Sequence, residues 1–271
     1  MSIDASQPLF TILKTLVESR AGLHYGPDER DLFLTRVTAR AEEAGFGSLL
    51  DYYYFLRYDE AGAVELERLV DVLVVNETFF FRELKPLEVI VDRLLPPVVA
   101  SGRRPRVWSA ACSTGEEPYT LAMLLAERQL LDQVELIGSD ISSRALARAR
   151  SGTFGARSLR ESSSSEYSTR WLRSTERGAT IDERLRDAVN WQRINLADPT
   201  PMPPGSCDVI LCRNVLIYFS DETAARVVQS LTRALRPGGV LFVGVAESLL
   251  RFGSGLDCQE IDQVFLYRKP S

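Results

Sequence analysis

Residues 106–120 read Arg-Val-Trp-Ser-Ala-Ala-Cys-Ser-Thr-Gly-Glu-Glu-Pro-Tyr-Thr. The apolar run from Val107 to Ala111 predicts a strand that ends in small residues. The chain then turns at Gly115, and Pro118 falls in the first turn of a helix, where a missing N–H costs little. This is a strand–loop–helix unit with small residues where a ligand must approach the backbone closely. Glu116 and Glu117 restrict the kind of ligand. A phosphate-binding loop wants Lys or bare backbone N–H groups at that point, not two carboxylates. Two acids suit a ligand with hydroxyls and positive charge. S-adenosylmethionine, with its sulfonium, ammonium and ribose, is such a ligand. The loop also lacks Gly-x-Gly-x-x-Gly, which disfavours a hydride-transfer enzyme.

On the C-terminal side, apolar runs at 107–111, 134–139, 189–194, 207–213, 240–246 and 261–267 alternate with helical patterns at 116–130, 142–150 and 221–235. That alternation predicts an α/β fold with a parallel, doubly wound sheet. The last run follows closely on the one before it and predicts a final antiparallel strand. Residues 151–188 break the pattern and read as an insertion, a small sheet or a flap, with Ser162-Ser163-Ser164-Ser165 as a solvated loop.

On the N-terminal side, four helical stripes appear: Leu9, Ile12, Leu13, Leu16 and Val17; then Leu32, Phe33, Val37 and Ala41; then Leu49, Tyr52, Tyr53 and Leu56; then Leu66, Leu69, Val70, Leu73 and Val74. They predict an all-α domain over 1–82. A linker over 83–104, with a helix from Leu87 to Leu95 closed by Pro96-Pro97, precedes the α/β domain at 105–271. The Tyr52-Tyr53-Tyr54-Phe55 cluster reads as core with its polar ends wet.

Composition excludes several classes. The 271 residues are 45% hydrophobic and 25% charged, ordinary for a soluble protein. No apolar run has membrane-spanning length and no signal-peptide pattern opens the chain, so the expectation is a cytoplasmic protein without membrane insertion. A net charge of −5 disfavours nucleic-acid binding. The imbalance is local: residues 1–75 hold seven Lys/Arg against thirteen Asp/Glu. The single histidine, His24, reads as a partly exposed residue near a helix end. It leaves no Ser-His-Asp triad by the Gly115 loop and no zinc site, so no metal is expected. Cys112, Cys207, Cys212 and Cys258 lack Cys-x-x-Cys spacing and read as buried free thiols.

Four further stretches carry chemistry. Gly138-Ser139-Asp140 ends the second strand, where an acid accepts both hydroxyls of a ribose; Ser142 is available to cap the next helix in its place. Asn195 and Leu196 follow the third strand, where amide and backbone groups read an adenine edge. Cys212-Arg213-Asn214-Val215-Leu216-Ile217-Tyr218-Phe219 follows the fourth strand and is expected over the same crevice. Asn76-Glu77-Thr78-Phe79-Phe80-Phe81-Arg82-Glu83 closes the helical domain, and a bend that buries the rings would turn Asn76, Thr78 and Arg82 into a cleft.

Together with Leu-Arg-Pro-Gly-Gly at 235–239, these blocks resemble the chemotaxis receptor methyltransferase family, CheR, over most of the chain. The resemblance implies a class I S-adenosylmethionine-dependent methyltransferase with an all-α N-terminal domain and a small inserted β subdomain. It implies methyl transfer to glutamate side chains of chemoreceptors, with S-adenosylhomocysteine as product. The partner would be the helical cytoplasmic domain of a chemoreceptor, and the protein would act as a monomer. By the same resemblance, Asn76, Thr78 and Arg82 line the cleft. Glu117, with Gly115 shaping the loop, holds the methionine part of the donor. Asp140 binds ribose, Asn195 and Leu196 contact adenine, Arg213 and Asn214 lie against the donor, and Arg82 and Tyr218 place the substrate. Two departures stand out. The helical domain is acidic where some relatives offer a basic face, leaving Arg36 and Arg40 on one helix face. Residues 174–186 lack the Gly-x-Gly of relatives that grip a receptor's C-terminal pentapeptide, so no such tether is expected. A nucleic-acid methyltransferase is disfavoured, since Arg-Asn-Val-Leu stands where Asn-Pro-Pro-Tyr is common. A non-catalytic donor-binding module is disfavoured by the presence of Arg82 and Tyr218.

Overall fold

Leu9, Phe10, Leu13, Leu16 and Val17 recur at three- and four-residue spacing and are all buried, which makes 7–21 one amphipathic helix. The computed structural model describes residues 7–160 and 166–271, so the Ser162–Ser165 run lies outside the described residues. The chain divides into two units: one runs to Val75 and includes Ile217–Thr223, and the other comprises Asn76–Leu216 and Ala224–Ser271.

The first unit contains α1 (Gln7–Ala21), α2 (Arg30–Glu43), α3 (Leu49–Tyr58) and α4 (Gly62–Leu73). Ser48 caps α3 by accepting from the Asp51 N–H. Gly62 lets α4 start against α3, since a Cβ there would stand 2.2 Å from the Phe55 carbonyl oxygen. The core holds Leu13, Val17, Phe33, Val37, Tyr52, Leu69 and Leu73. Leu32 is half exposed, and Leu34 takes its expected place on the buried stripe. The aromatic run divides by helical phase: Tyr52 is core, while Tyr54 points out and stacks on Tyr58. His24 lies beyond α1, with Nδ1 2.9 Å from a Glu18 carboxylate oxygen. Its backbone N–H donates to the Tyr218 carbonyl, beside a bridge between Leu23 and Phe219, which brings 217–223 into this unit.

A buried ionic cluster joins α2, α3 and α4. Arg40 meets Glu65 in two bonds of 2.6 and 2.8 Å, and the Tyr52 hydroxyl donates to Glu65 at 2.9 Å. Arg36 donates to the Leu73 carbonyl at the end of α4. The two arginines that the sequence places on one basic face therefore serve the domain's own interior. Burial works to raise the Glu65 pKa, but the bonds from Arg40 and Tyr52 outweigh it and hold the carboxyl below its ordinary value.

The second unit begins with one helical stretch: α5 (Leu84–Val89), a π-helical turn (Ile90–Leu94) and α6 (Leu95–Ala100). The helix does not close at Pro96-Pro97, because both prolines open the first turn of α6, where no N–H is needed. Leu87, Val89, Ile90, Val91 and Leu95 are buried in the sheet's core, so this stretch is more than a connection.

The sheet unit continues with β1 (Arg106–Ala110), α7 (Glu116–Glu127), β2 (Glu135–Asp140), α8 (Ser143–Ser151), β3 (Thr153–Gly155), α9 (Glu166–Trp171), β4 (Leu172–Thr175) and β5 (Gly178–Ile181). After these come α10 (Glu183–Ala188), β6 (Val189–Arg193), β7 (Cys207–Cys212), α11 (Asp221–Ala234), β8 (Leu235–Val243), β9 (Asp257–Ile261) and β10 (Val264–Arg268). Among the described residues the main sheet has the order β6-β2-β1-β7-β8-β10-β9. Pairing is parallel from β6 to β8, and β10 is antiparallel to both neighbours. The chain thus reverses direction across the sheet on either side of β1, which opens a crevice over the carboxyl ends of β1 and β7. The insertion folds as a small antiparallel sheet, β3-β5-β4.

Three details differ from the sequence expectation. Strand β8 starts at Leu235, with a register shift opposite Cys207–Val209 that accommodates Pro237. Strand β9 is a polar edge strand that no hydrophobic run announces. Cys258 lies on that edge and is exposed, whereas Cys112, Cys207 and Cys212 are buried. Among the described residues no helix is long and apolar enough to cross a membrane.

Replacing Glu65 with Ala leaves Arg40 without its main partner and is expected to destabilise the chain by about 3 kcal/mol at pH 7. Because the folded-state pKa of Glu65 is depressed, its contribution is complete above the ordinary glutamate value of about 4.3 and is lost as pH falls through the folded value. Urea unfolding followed by circular dichroism should show the wild-type advantage shrinking below about pH 4.

Candidate active site

The loop after β1 carries the quoted motif. Ala111 and Ser113 hold φ of 57° and 52°, and Gly115, at 95°, precedes α7. Gly115 is required twice over, since a Cβ there would also stand 2.8 Å from Ala149 and from Trp191. Gly138 of β2 is likewise filled by the Trp191 ring, at 2.5 Å from a built Cβ. The Trp108 indole N–H donates to Ser139 Oγ, fixing β1 against β2 beneath the loop.

Asp140 closes β2 and organises two turns at once. One oxygen accepts from the Ser113 N–H at 2.8 Å and the other from the Ser142 N–H at 2.9 Å. Ser142 caps α8 through the Ala145 N–H, as the sequence allows, yet Asp140 is still tied to backbone.

The two glutamates separate in role. Glu116 is fully buried, with Oε2 accepting from Thr114 Oγ1 and Oε1 without a hydrogen-bond partner. Glu117 is partly accessible, with one oxygen on Ser109 Oγ at 2.6 Å and the other on Arg213 Nη1 at 2.7 Å.

Arg213 follows β7, and its side chain is 2% exposed. Besides Glu117 it reaches the Glu83 carboxylate at 2.8 Å and the Arg82 and Glu83 carbonyls at 3.0 and 3.3 Å. Burial works to lower its pKa, but Glu117 and Glu83 outweigh that and keep it above the ordinary value. The guanidinium on which the sequence reading places donor contact is thus held by protein groups. Asn214 takes a φ of 58°. Its N–H and those of Val215, Leu216 and Gly244 all donate to Glu247, at 2.7 to 2.9 Å. Glu247 was not singled out from sequence. Its signal is an acid just past the end of a central strand in a loop of small residues.

Residues 76–83 approach the loop after β1 from its other side. Ser113 Oγ lies 3.5 Å from Asn76 Oδ1, and the Phe81 N–H donates to Thr120 Oγ1. Phe80 and Phe81 are buried, Phe80 packing on Phe154 and Phe81 on Tyr167. Phe79 is not buried with them; the Arg82 guanidinium lies 5.7 Å from its ring centre. Arg82 also donates to the Glu77 carbonyl and is half-buried, as is Thr78 in the irregular segment before the turn.

Asn195 makes a local turn, accepting from the Ala197 N–H and donating to Asp198, and Leu196 is buried beneath it. Tyr218 belongs to the helical unit, through its carbonyl's bond to His24. Burial raises the Cys112 and Cys212 thiols well above their ordinary value and pushes Cys207 up to about 11, so none is a thiolate nucleophile at neutral pH.

The donor set is acidic and hydroxyl-accepting. Two carboxylates, Glu117 in the first turn of α7 and Asp140 at the end of β2, stand on either side of the loop after β1, and the guanidinium of Arg213 is already paired. That chemistry fits a ligand with an ammonium, a sulfonium and a ribose and does not fit a polyphosphate.

Comparison with known proteins agrees. The profile described as "CheR methyltransferase, SAM binding domain" matches residues 76–264, and "CheR methyltransferase, all-alpha domain" matches 8–74. The chain belongs to the CheR methyltransferase family. As a CheR protein it is an S-adenosylmethionine-dependent methyltransferase. It is 34% identical to chemotaxis protein methyltransferase 2 of Vibrio cholerae, over 93% of this chain and 89% of that protein. It is 31% identical to chemotaxis protein methyltransferase 1 of Pseudomonas aeruginosa, over 91% of this chain and 92% of that one.

Substituting Arg213 with Met in this CheR protein strands the carboxylates of Glu83 and Glu117 and two carbonyls, and should cost about 3 kcal/mol in urea unfolding at pH 7. Arg213→Lys should recover less than half of that, because an ammonium lacks the fork that spans both acids.

Proposed function

We propose that this chain transfers a methyl group from S-adenosylmethionine to glutamate side chains of chemoreceptors, giving glutamate methyl esters. The observation that carries the reading is the convergence of Glu117, Asp140 and residues 76–83 around the loop after β1 and the start of α7, with Arg82 half-buried beside them in sequence. The names of the relatives support the chemotaxis assignment. When bound, the donor supplies a methyl on a sulfonium: the acceptor oxygen bonds to that carbon as the carbon–sulfur bond breaks, the electron pair goes to sulfur, and S-adenosylhomocysteine leaves.

The chain's own residues position the reactants. Glu117, the accessible member of the glutamate pair, receives the donor's ammonium. Asp140 receives the ribose hydroxyls. Asn195 and Leu196 border the adenine, and Asn76, Thr78 and Asn214 line the remaining walls. A glutamate carboxylate is already ionised at pH 7, with an ordinary pKa of about 4.3. No proton has to be removed, which suits a chain with one histidine, set in the helical unit. Arg82 orients the incoming carboxylate by charge-assisted bonds without gripping it tightly, since extra stabilisation of the nucleophile raises the barrier. The cytoplasmic helical domain of a chemoreceptor is the partner, met by a monomer. A pentapeptide tether is not required. In the small sheet, β4 and β5 are joined by a two-residue turn. The first residue of β5, Gly178, is pressed against β3, where a Cβ would stand 1.9 Å from the Phe154 carbonyl oxygen.

Incubation with labelled S-adenosylmethionine and a chemoreceptor cytoplasmic fragment should place base-labile methyl groups on glutamates, mapped by mass spectrometry. Absence of label on the receptor would refute the assignment. Arg82→Ala should lower methyl transfer tenfold or more, about 1.4 kcal/mol, with a smaller loss in S-adenosylhomocysteine affinity by calorimetry. Asp140→Asn should show the reverse order of losses.

A further inference from the structure

Arg160 stands outside every role assigned so far. It lies at the end of the turn that follows β3, and that turn is fixed to the substrate-facing segment by the Phe80 N–H donating to the Ser158 carbonyl and by Phe80 packing on Phe154. The Arg160 guanidinium sits 3.8 Å from the centre of the Phe79 ring, close enough for cation–π stacking. Arg82 approaches the same ring at 5.7 Å. Both arginines are also tied to one residue, Glu77: Arg82 to its carbonyl at 3.2 Å, and Arg160 to its carboxylate oxygen through both Nη atoms at 3.3 Å.

The Arg160–Glu77 pair is a poor one by geometry. Its side chains are 40% and 61% exposed, and both bonds converge on a single oxygen at long range. Such a pair contributes little to stability. Stacking on Phe79 holds the guanidinium plane in place whatever its charge partner, which is how a preorganised carboxylate receptor is built.

We propose that Arg160 is a substrate-binding residue for the acidic methyl acceptor, and that Glu77 is an internal placeholder for a substrate carboxylate. The proposal rests on the receptor-glutamate reading above. In the resting protein the Glu77 carboxylate occupies Arg160. When an acidic receptor segment arrives, one of its carboxylates displaces Glu77 and takes the guanidinium bidentately, while Arg82 meets the carboxylate to be methylated. Two guanidiniums around one aromatic ring therefore select a segment that carries acidic side chains in addition to the acceptor.

The test is steady-state methylation of a purified chemoreceptor cytoplasmic fragment with labelled S-adenosylmethionine, alongside calorimetry with S-adenosylhomocysteine. Arg160→Ala should raise KM for the receptor tenfold or more, with the smaller part of the loss in kcat, and should leave S-adenosylhomocysteine affinity within twofold. Arg160→Lys should restore less than half of the loss. Glu77→Gln, which removes the placeholder charge, should lower KM severalfold, a gain that a merely structural role for the pair would not produce. An unchanged KM in Arg160→Ala, or a raised KM in Glu77→Gln, overturns the proposal while wild-type methylation keeps the receptor assignment standing. No methylation by the wild-type chain that still binds S-adenosylhomocysteine overturns the assignment, and this proposal with it.

Discussion

A single buried guanidinium organises the sheet unit's functional edge. Arg213 bonds to carboxylates 96 and 130 positions away along the chain, and to two carbonyls beside the second of them. A buried charge left without partners costs several kcal/mol. The turn after β7, the start of α7 and the segment ending at Glu83 therefore assemble together or not at all. Glu117 cannot stand at the crevice in its ordered place without the cation behind it, and residues 76–83 cannot approach the loop after β1 without the same cation holding their last carbonyls.

Around that centre, carboxylates do work that lysines do in phosphate-binding folds. Asp140 holds two backbone amides and Glu247 holds four, so the loops over four strand ends, those of β1, β2, β7 and β8, are each tied down by an acid. The result is a crevice whose fixed negative groups are already hydrogen-bonded and so are held in place before any ligand enters. The buried cysteines at the same edge stay protonated and take no part.

Much of this was legible in the sequence because it rests on local rules. The strand–Gly115–Pro118 unit, the acid ending β2 and the four helical stripes each follow from periodicity, turn chemistry and capping within a window of about twenty residues. What was not legible depends on distant partners. Arg36 and Arg40 look like a basic helix face until Leu73 and Glu65 are brought alongside. The bonds of Arg213 to Glu83 and Glu117 join positions too far apart in the chain for any local pattern to announce. Strand β9 has no apolar alternation because it pairs on one side only and none of its side chains is buried, and Glu247 has no motif of its own. Phe79 differs from Phe80 and Phe81 only in what stands beside it, two guanidiniums instead of the core.

Five residues other than glycine hold positive φ within these same loops: Phe81, Glu83, Ala111, Ser113 and Asn214. For the four other than Asn214 such a conformation costs about 1 kcal/mol or more, while asparagine adopts it readily. Net stabilities of folded domains are about 5–15 kcal/mol, so the sum is a sizeable fraction of the whole. A fold that carries this burden at its working edge has a narrower margin everywhere else. Conservative changes at fully buried residues such as Trp108 and Leu211, which a relaxed scaffold would absorb, bring this one nearer to unfolding. Evolutionary drift in the core is accordingly constrained by geometry many residues away.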